Sequence, residues 1–283
     1  MTPRWLRRRS SPATSGEREY RSVRLDYPVR PHERWGHGRR PPLAPVKAIL
    51  DGRREVFRDH LTGFVERYRD RYRSFPMRAT APHEVAWDNE TLPGFDVVTL
   101  YGMVRDVAPA LYFEIGSGTS TKIARQAVTD GALSTTIVSL DPEPRFDIDA
   151  VCDETIRQPI EDVDLSMFDR LRAGDILFYD GSHRCLQNSD VTVMFLDVLP
   201  RLPSGVFVHI HDILLPDDYP DIWRERFYNE QYLLEAFLSH NPDWKILGAL
   251  NYLAHHHHAL LKQKCPYLTP HSEPASFWIQ RIA

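Results

Sequence analysis

The stretch Tyr112-Phe113-Glu114-Ile115-Gly116-Ser117-Gly118-Thr119-Ser120 decides the fold. Leu111–Glu114 is a short apolar run that predicts a strand. The two glycines predict a tight turn, and from Thr119 to about Thr129 the spacing becomes helical. A strand that passes through a glycine turn into a helix brings backbone close to a ligand, in conformations that other residues adopt at a cost. Dinucleotide-binding turns carry a third glycine. Here Ser120 and Thr121 stand near its place.

Working outward, the next strand, Ser134–Leu140, ends at Asp141, 23 positions after Gly118. A carboxylate there can accept the hydroxyl hydrogens of a ribose; an Asp that merely starts a turn before Pro142 is the blander alternative. Glu114, two positions before Gly116, suits a cationic ligand and would repel phosphates. Asp175–Tyr179 predicts a strand ending at Asp180, a helix follows from about Gln187 to Leu199, and Val206–Ile210 predicts a strand ending at His211-Asp212. A further helix, about Phe95 to Asp106, precedes the first strand. Apolar runs alternating with helices imply a parallel sheet covered on both faces. Trp223–Leu238 reads as helix, and Ile246–Leu253 and Ser276–Ile282 as two last strands.

Glu114–Ser120, Asp141, Asp180-Gly181-Ser182-His183 and His211-Asp212 together resemble the class I S-adenosylmethionine-dependent methyltransferases, in particular bacterial enzymes of small molecules, some acting on sugar hydroxyls of natural products. The resemblance spans roughly 95–283. It implies a Rossmann-like α/β fold: a seven-stranded, mostly parallel sheet with a C-terminal antiparallel hairpin, here carrying an N-terminal helical extension. It also implies S-adenosylmethionine as cofactor. Glu114, Gly116, Ser117, Gly118, Ser120 and Thr121 would line its methionine side, Asp141 would hold the ribose, Asp162 (with Glu161) would lie near the adenine, and Asp180 beside the methyl group.

Methyl transfer from a sulfonium is a direct displacement that needs alignment, and a hydroxyl nucleophile must also lose its proton. His183 and His211 are the candidate bases, with Asp180 as their catalytic neighbour. Each histidine has a plainer alternative, that of fixing its loop. A divalent ion, magnesium by ligand type, held by Asp180, His211 and Asp212 is a second route to an activated hydroxyl. The catechol-type relatives have Asp-Asn where this chain has His211-Asp212, so the match to their metal site is incomplete. Leu214, Leu215, Pro216, Tyr219 and Trp223, with Asn229, Glu230 and Gln231 beyond them, are expected to shape an acceptor pocket. Tyr101 is a weaker candidate for a cofactor contact. His209 reads as a core residue, and His255–His258, in or beside a strand, as structural or solvent-facing.

The whole chain of 283 residues carries −4, but residues 1–73 hold 19 Lys+Arg against 9 Asp+Glu, about +10, leaving about −14 on the rest. Three segments follow: an Arg/Pro-rich irregular arm (1–43), a helical extension (44–94) and the cofactor-binding domain (95–283). Val46, Leu50, Phe57, Leu61, Phe64, Tyr68 and Tyr72 recur at helical spacing in the extension, which suits a cap or a homo-oligomer contact. The acidic catalytic part argues against nucleic acid and for a small-molecule acceptor. Cys152, Cys185 and Cys265 form no CxxC, no stretch is apolar enough to span a membrane, and no export signal is read, so the expected location is cytoplasmic. A nicotinamide-dependent oxidoreductase and a non-catalytic binding protein on the same fold stand as alternatives.

Overall fold

The computed structural model describes residues 26–27, 29–37, 40–42, 44–89, 91–265 and 273–283. Seven strands form one sheet: β1 (Leu111–Ile115), β2 (Thr136–Leu140), β3 (Glu154–Ile156), β4 (Ile176–Tyr179), β5 (Phe207–Ile210), β6 (Trp244–Ala249) and β7 (Phe277–Arg281). Their order is β3-β2-β1-β4-β5-β7-β6. The first five run parallel, and β7 lies antiparallel between β5 and β6. This is the Rossmann-like class I arrangement that the sequence predicts.

Every residue of β1 and of β4 is buried, which is why both read as unbroken apolar runs rather than alternating ones. Fully burying one such side chain contributes about 1.5–3 kcal/mol. The helices that cover the sheet are α1 (Ala44–Arg67), α2 (Arg69–Ser74), α3 (Gly94–Val107), α4 (Thr119–Gly131), α5 (Asp190–Val193), α6 (Glu230–Leu238) and α7 (Leu250–Lys264). The apolar stripe of α1, with Val46, Leu50, Phe57, Leu61 and Val65 buried, packs against α3, α7 and β6 of its own chain. It caps the domain, so that face is already covered.

Strand order reverses between β1 and β4, and the pairing aligns their carboxyl ends: Ile115 lies opposite Tyr179, and Tyr179 opposite Ile210. The ladder continues one step beyond the strands. The Asp180 amide donates to the Ile115 carbonyl, the His211 amide to the Tyr179 carbonyl, the Gly116 amide to the Leu140 carbonyl and the Asp141 amide to the Ile156 carbonyl. Gly116, Asp141, Asp180 and His211 are thereby drawn to one edge, where open α/β sheets bind their ligands.

Several elements differ from their sequence-based expectation. The segment Ile246–Leu253 is not one strand: β6 ends at Ala249 and α7 begins at Leu250. Short apolar runs do not distinguish strand from buried helix. His255–His258 are therefore helical, and β6 and β7 pair antiparallel but are joined through α7 rather than by a tight hairpin turn. The helix expected from Gln187 to Leu199 is a single α turn that passes into π and 3₁₀ geometry. The helix expected from Trp223 to Leu238 is split at Phe227, in the left-handed region, into a 3₁₀ segment (Asp221–Arg226) and α6. The sequence reading left β3 out; three residues at a sheet edge are too few to show a period.

Candidate active site

The turn after β1 is built around Gly116. Its φ is +79°, and a Cβ there would stand 2.0 Å from the Asp180 carbonyl oxygen, so only glycine lets β1 and β4 close at this edge. Above the turn opens a cavity of about 350 Å³, bordered by Gly116–Ser120, Asp141, Phe146, Glu161 and Asp180. That size lies within the range of small-ligand pockets.

Asp141 secures the turn while facing the cavity. Its carboxylate accepts from the amides of Ser117 (2.7 Å) and Glu143 (2.8 Å). Each carboxylate oxygen retains further acceptor capacity. The Ser117 hydroxyl is engaged with that of Ser139 at 2.6 Å, and Ser120 borders the cavity. Thr121 and Glu114 do not border it. The Thr121 hydroxyl donates to Glu114 and accepts from the Gly118 amide at 3.0 Å, and Tyr112 also donates to Glu114 at 3.2 Å. Glu114 is fully buried, and burial pushes its pKa up to about 7 against the lowering effect of these hydroxyls. On the 3₁₀ turn Ile160–Asp162, Glu161 borders the cavity and Asp162 points to solvent. The acidic border suits a hydroxylated, positively charged cofactor and repels a pyrophosphate.

Asp180 is shared between this cavity and a buried cluster behind it. His183 Nε2 lies 3.1 Å from Asp180 Oδ1 and 3.5 Å from Asp212 Oδ2, while its Nδ1 lies 2.8 Å from Glu230 Oε2. His211 Nδ1 lies 3.7 Å from Asp180 and 3.5 Å from Asp212, while its Nε2 lies 3.3 Å from Asp96 Oδ2. Each histidine thus has a buried carboxylate behind it and the Asp180/Asp212 pair in front. Burial alone would depress both imidazoles, but hydrogen bonds to Asp180 with Glu230 or Asp96 outweigh it and hold both pKa values well above the ordinary range. His183 and Asp212 both have positive φ, 61° and 56°. The His183 carbonyl accepts from the amides of Asn229 (2.9 Å) and Glu230 (3.3 Å), which ties its loop to the start of α6.

Asp180, His183 and Asp212 each offer a ligand atom, and those atoms lie within 4.8 Å of one another. The trio read from the sequence had His211 in place of His183. Two carboxylates and one imidazole, the latter backed by Glu230, form a donor set that a divalent cation accepts.

Other expectations resolve differently. Asn229, Glu230 and Gln231 make their contacts within the protein. Asn229 accepts from the Cys185 amide, Glu230 backs His183, and Gln231 accepts from the Leu214 amide and donates to the Asp217 carbonyl. Tyr101 is buried away from the cavity, donating to Asp130 and accepting from Arg105, both at 2.8 Å. His209, by contrast, is the core residue expected: it is buried, stacks on Trp278 at 4.3 Å and sets its Nε2 on the Ser276 hydroxyl. One residue escapes the sequence reading. Asp96 accepts from the Ala275 and Ser276 amides besides meeting His211. Its signal was a lone carboxylate inside the apolar run Phe95-Asp96-Val97-Val98. The partner of His183 was named, but its role as a buttress had no signal in spacing, since 47 residues separate the two.

A family model described as a methyltransferase domain matches residues 113–213, from β1 to just past β5. No curated protein matches the chain in sequence. Among solved structures, the chain is similar to the methyltransferase PaMTH1 of Podospora anserina bound to S-adenosylhomocysteine, with 18% identity, 87% of this chain and 100% of that one covered, and a TM-score of 0.44. It is also similar to the O-methyltransferase TomG of Streptomyces achromogenes in complex with S-adenosylmethionine, with 14% identity, 80% and 90% covered, and a TM-score of 0.41. A third is the plantazolicin methyltransferase BpumL, with 12% identity, 85% and 100% covered, and a TM-score of 0.41.

Proposed function

We propose that this S-adenosylmethionine-dependent methyltransferase delivers its methyl group to a hydroxyl of a small acceptor, a sugar or other natural product, with His183 taking the hydroxyl proton. The observation that carries this reading is the chain Glu230–His183–Asp180, with contacts of 2.8 and 3.1 Å, which ends on a residue bordering the cavity.

The cofactor, when bound, supplies a methyl group on a sulfonium, open to in-line displacement. The residues do the rest. Gly116 admits the backbone approach, Asp141 accepts from the ribose hydroxyls, and the acidic border favours the cofactor's positive charge. Asp180 stands between cavity and cluster. His183 acts as base in its neutral form, which its carboxylate neighbours confine to pH above its raised pKa; the acceptor hydroxyl then yields its proton to Nε2, and Glu230 at Nδ1 fixes the ring's orientation and stabilises the imidazolium that re-forms. Acceptor alignment on Asp180 supplies the proximity term.

One observation favours a second route. Asp180, His183 and Asp212 would hold a divalent cation such as magnesium, with His211 beside them, and such an ion lowers the pKa of a hydroxyl. Chelation separates the two: turnover that survives EDTA supports the base, and turnover lost and then restored by magnesium supports the cation. His183→Ala tests the main reading. It is expected to keep S-adenosylhomocysteine affinity and to lose about 10²–10⁴-fold in kcat with a methyl-labelled cofactor. Undiminished kcat removes His183 from the mechanism.

The acidic border favours a small acceptor over nucleic acid, three free cysteines fit a reducing cytoplasm, and any self-association would use a surface other than the covered stripe of α1. No helix among the described residues is long and apolar enough to cross a membrane.

A further inference from the structure

Asp180 is held from two sides, and proton transfer to His183 engages one of them. The other side is His211, a buried ring just past the end of β5. Its Nε2 meets Asp96 Oδ2 at 3.3 Å, and that carboxylate is itself fixed: Oδ1 accepts from the Ser276 amide and Oδ2 from the Ala275 amide, both at 3.0 Å. Asp96 is fully buried in the first turn of α3, as Glu230 is in the first turn of α6, and it lies outside the residues 113–213 that the family model matches. An imidazole turned over by half a rotation would set a C–H where Nε2 meets Asp96. The carboxylate therefore leaves the ring one orientation, with Nδ1 towards Asp180 (3.7 Å) and Asp212 (3.5 Å).

Both rings address the same atom. His183 Nε2 lies 3.1 Å and His211 Nδ1 3.7 Å from Asp180 Oδ1. Oδ2 takes part in neither contact, and the Asp180 side chain, 32% exposed, borders the cavity. A carboxylate met at one oxygen from two directions cannot turn without giving up one of the two contacts. Its second oxygen is thereby presented to whatever fills the cavity. A carboxylate oxygen in that place favours a sulfonium over an uncharged thioether of nearly the same shape.

We propose that Asp96 is a positioning residue: through His211 it sets the Asp180 carboxylate so that Oδ2 faces the sulfonium side of the cavity. This rests on the methyl-transfer reading and adds a consequence to it. The site then prefers the charged cofactor to the spent product, which has lost the sulfonium charge, and that preference helps the product to leave. The support is Asp96's rigid double tie to β7 together with the meeting of the two rings on one oxygen.

Calorimetric titration of the full chain with S-adenosylmethionine and with S-adenosylhomocysteine reads the ratio of the two affinities and needs no acceptor. Asp96→Asn, with Asp96→Ser as a second variant, is expected to shift that ratio about three- to tenfold towards S-adenosylhomocysteine, and His211→Gln about as far. The double variant should shift it no further than the larger single change, because both substitutions act along one path. A residue that merely staples α3 to β7 would lower both affinities alike, so an unchanged ratio would overturn the proposal. A double variant whose shift is the product of the two single ones would overturn it as well, and so would failure of both Asp96 variants to fold. If the wild-type chain binds neither compound, the methyl-transfer reading falls and this role with it. If it binds both and the ratio stays put in the variants, the role alone falls.

Discussion

Asp141 does two things at once: it ties down the Ser117 and Glu143 amides and faces the cavity. Removing a buried polar pairing costs on the order of 1–3 kcal/mol, so Asp141→Ala should weaken S-adenosylhomocysteine binding by about ten- to a hundredfold, measured by titration calorimetry. Unchanged affinity would detach Asp141 from the ribose. Glu114 makes a different prediction. Its folded pKa of about 7 stands above the ordinary 4.5 because it is buried, so the neutral form is the one that folding favours. The stability this gives is complete below 4.5 and is lost as pH rises through about 7. Thermal melts of the ligand-free protein should therefore show wild type losing ground to Glu114→Gln between about pH 5 and 8. A difference that stays constant with pH would contradict the assignment. At this scale the sequence was legible wherever a residue sits at a strand end, as Gly116, Asp141 and Asp180 do. It was not legible where a tertiary contact decides. Thr121 faces Glu114 instead of the cavity, and Asp96 meets His211 across 115 positions.

Elements with clear patterns, such as α3, α4 and four of the five parallel strands (β1, β2, β4 and β5), lie close to where the sequence predicts them. The errors fall where backbone geometry breaks a pattern. Phe227 in the left-handed region splits one helix, and buried Leu250–Leu253 begins a helix that reads like a strand. The arm holds a contact that composition hid. Trp35 is nearly buried against Tyr232 at 5.7 Å, the Glu33 and Arg34 amides donate to Asp221 and Asp218, and Gly36 (φ +73°) leaves no room for a Cβ beside Asp217. This strap braces the loop after β5, which carries Tyr219 and Trp223. Trp35→Ala is expected to accelerate amide hydrogen exchange in residues 214–221 while leaving β1 and α4 unchanged, since local opening follows lost local contacts. Unaltered exchange in that loop would show that the strap braces nothing.

The whole molecule is a sheet whose carboxyl edge gathers chemistry from four strand ends, capped by an N-terminal extension that buries its stripe against α3, α7 and β6. Alternation of strands and helices, visible in the sequence, dictates that edge. The charge imbalance, also visible, does not by itself say that acids border the cavity above Gly116; that needed the fold. The central claim, that the cavity above Gly116 holds S-adenosylmethionine, meets its most direct test in calorimetric titration of the purified chain with S-adenosylhomocysteine, with NAD as the parallel control. Saturable binding of S-adenosylhomocysteine at one site per chain, and none of NAD, is the predicted result. Binding of NAD, or of neither, would contradict it.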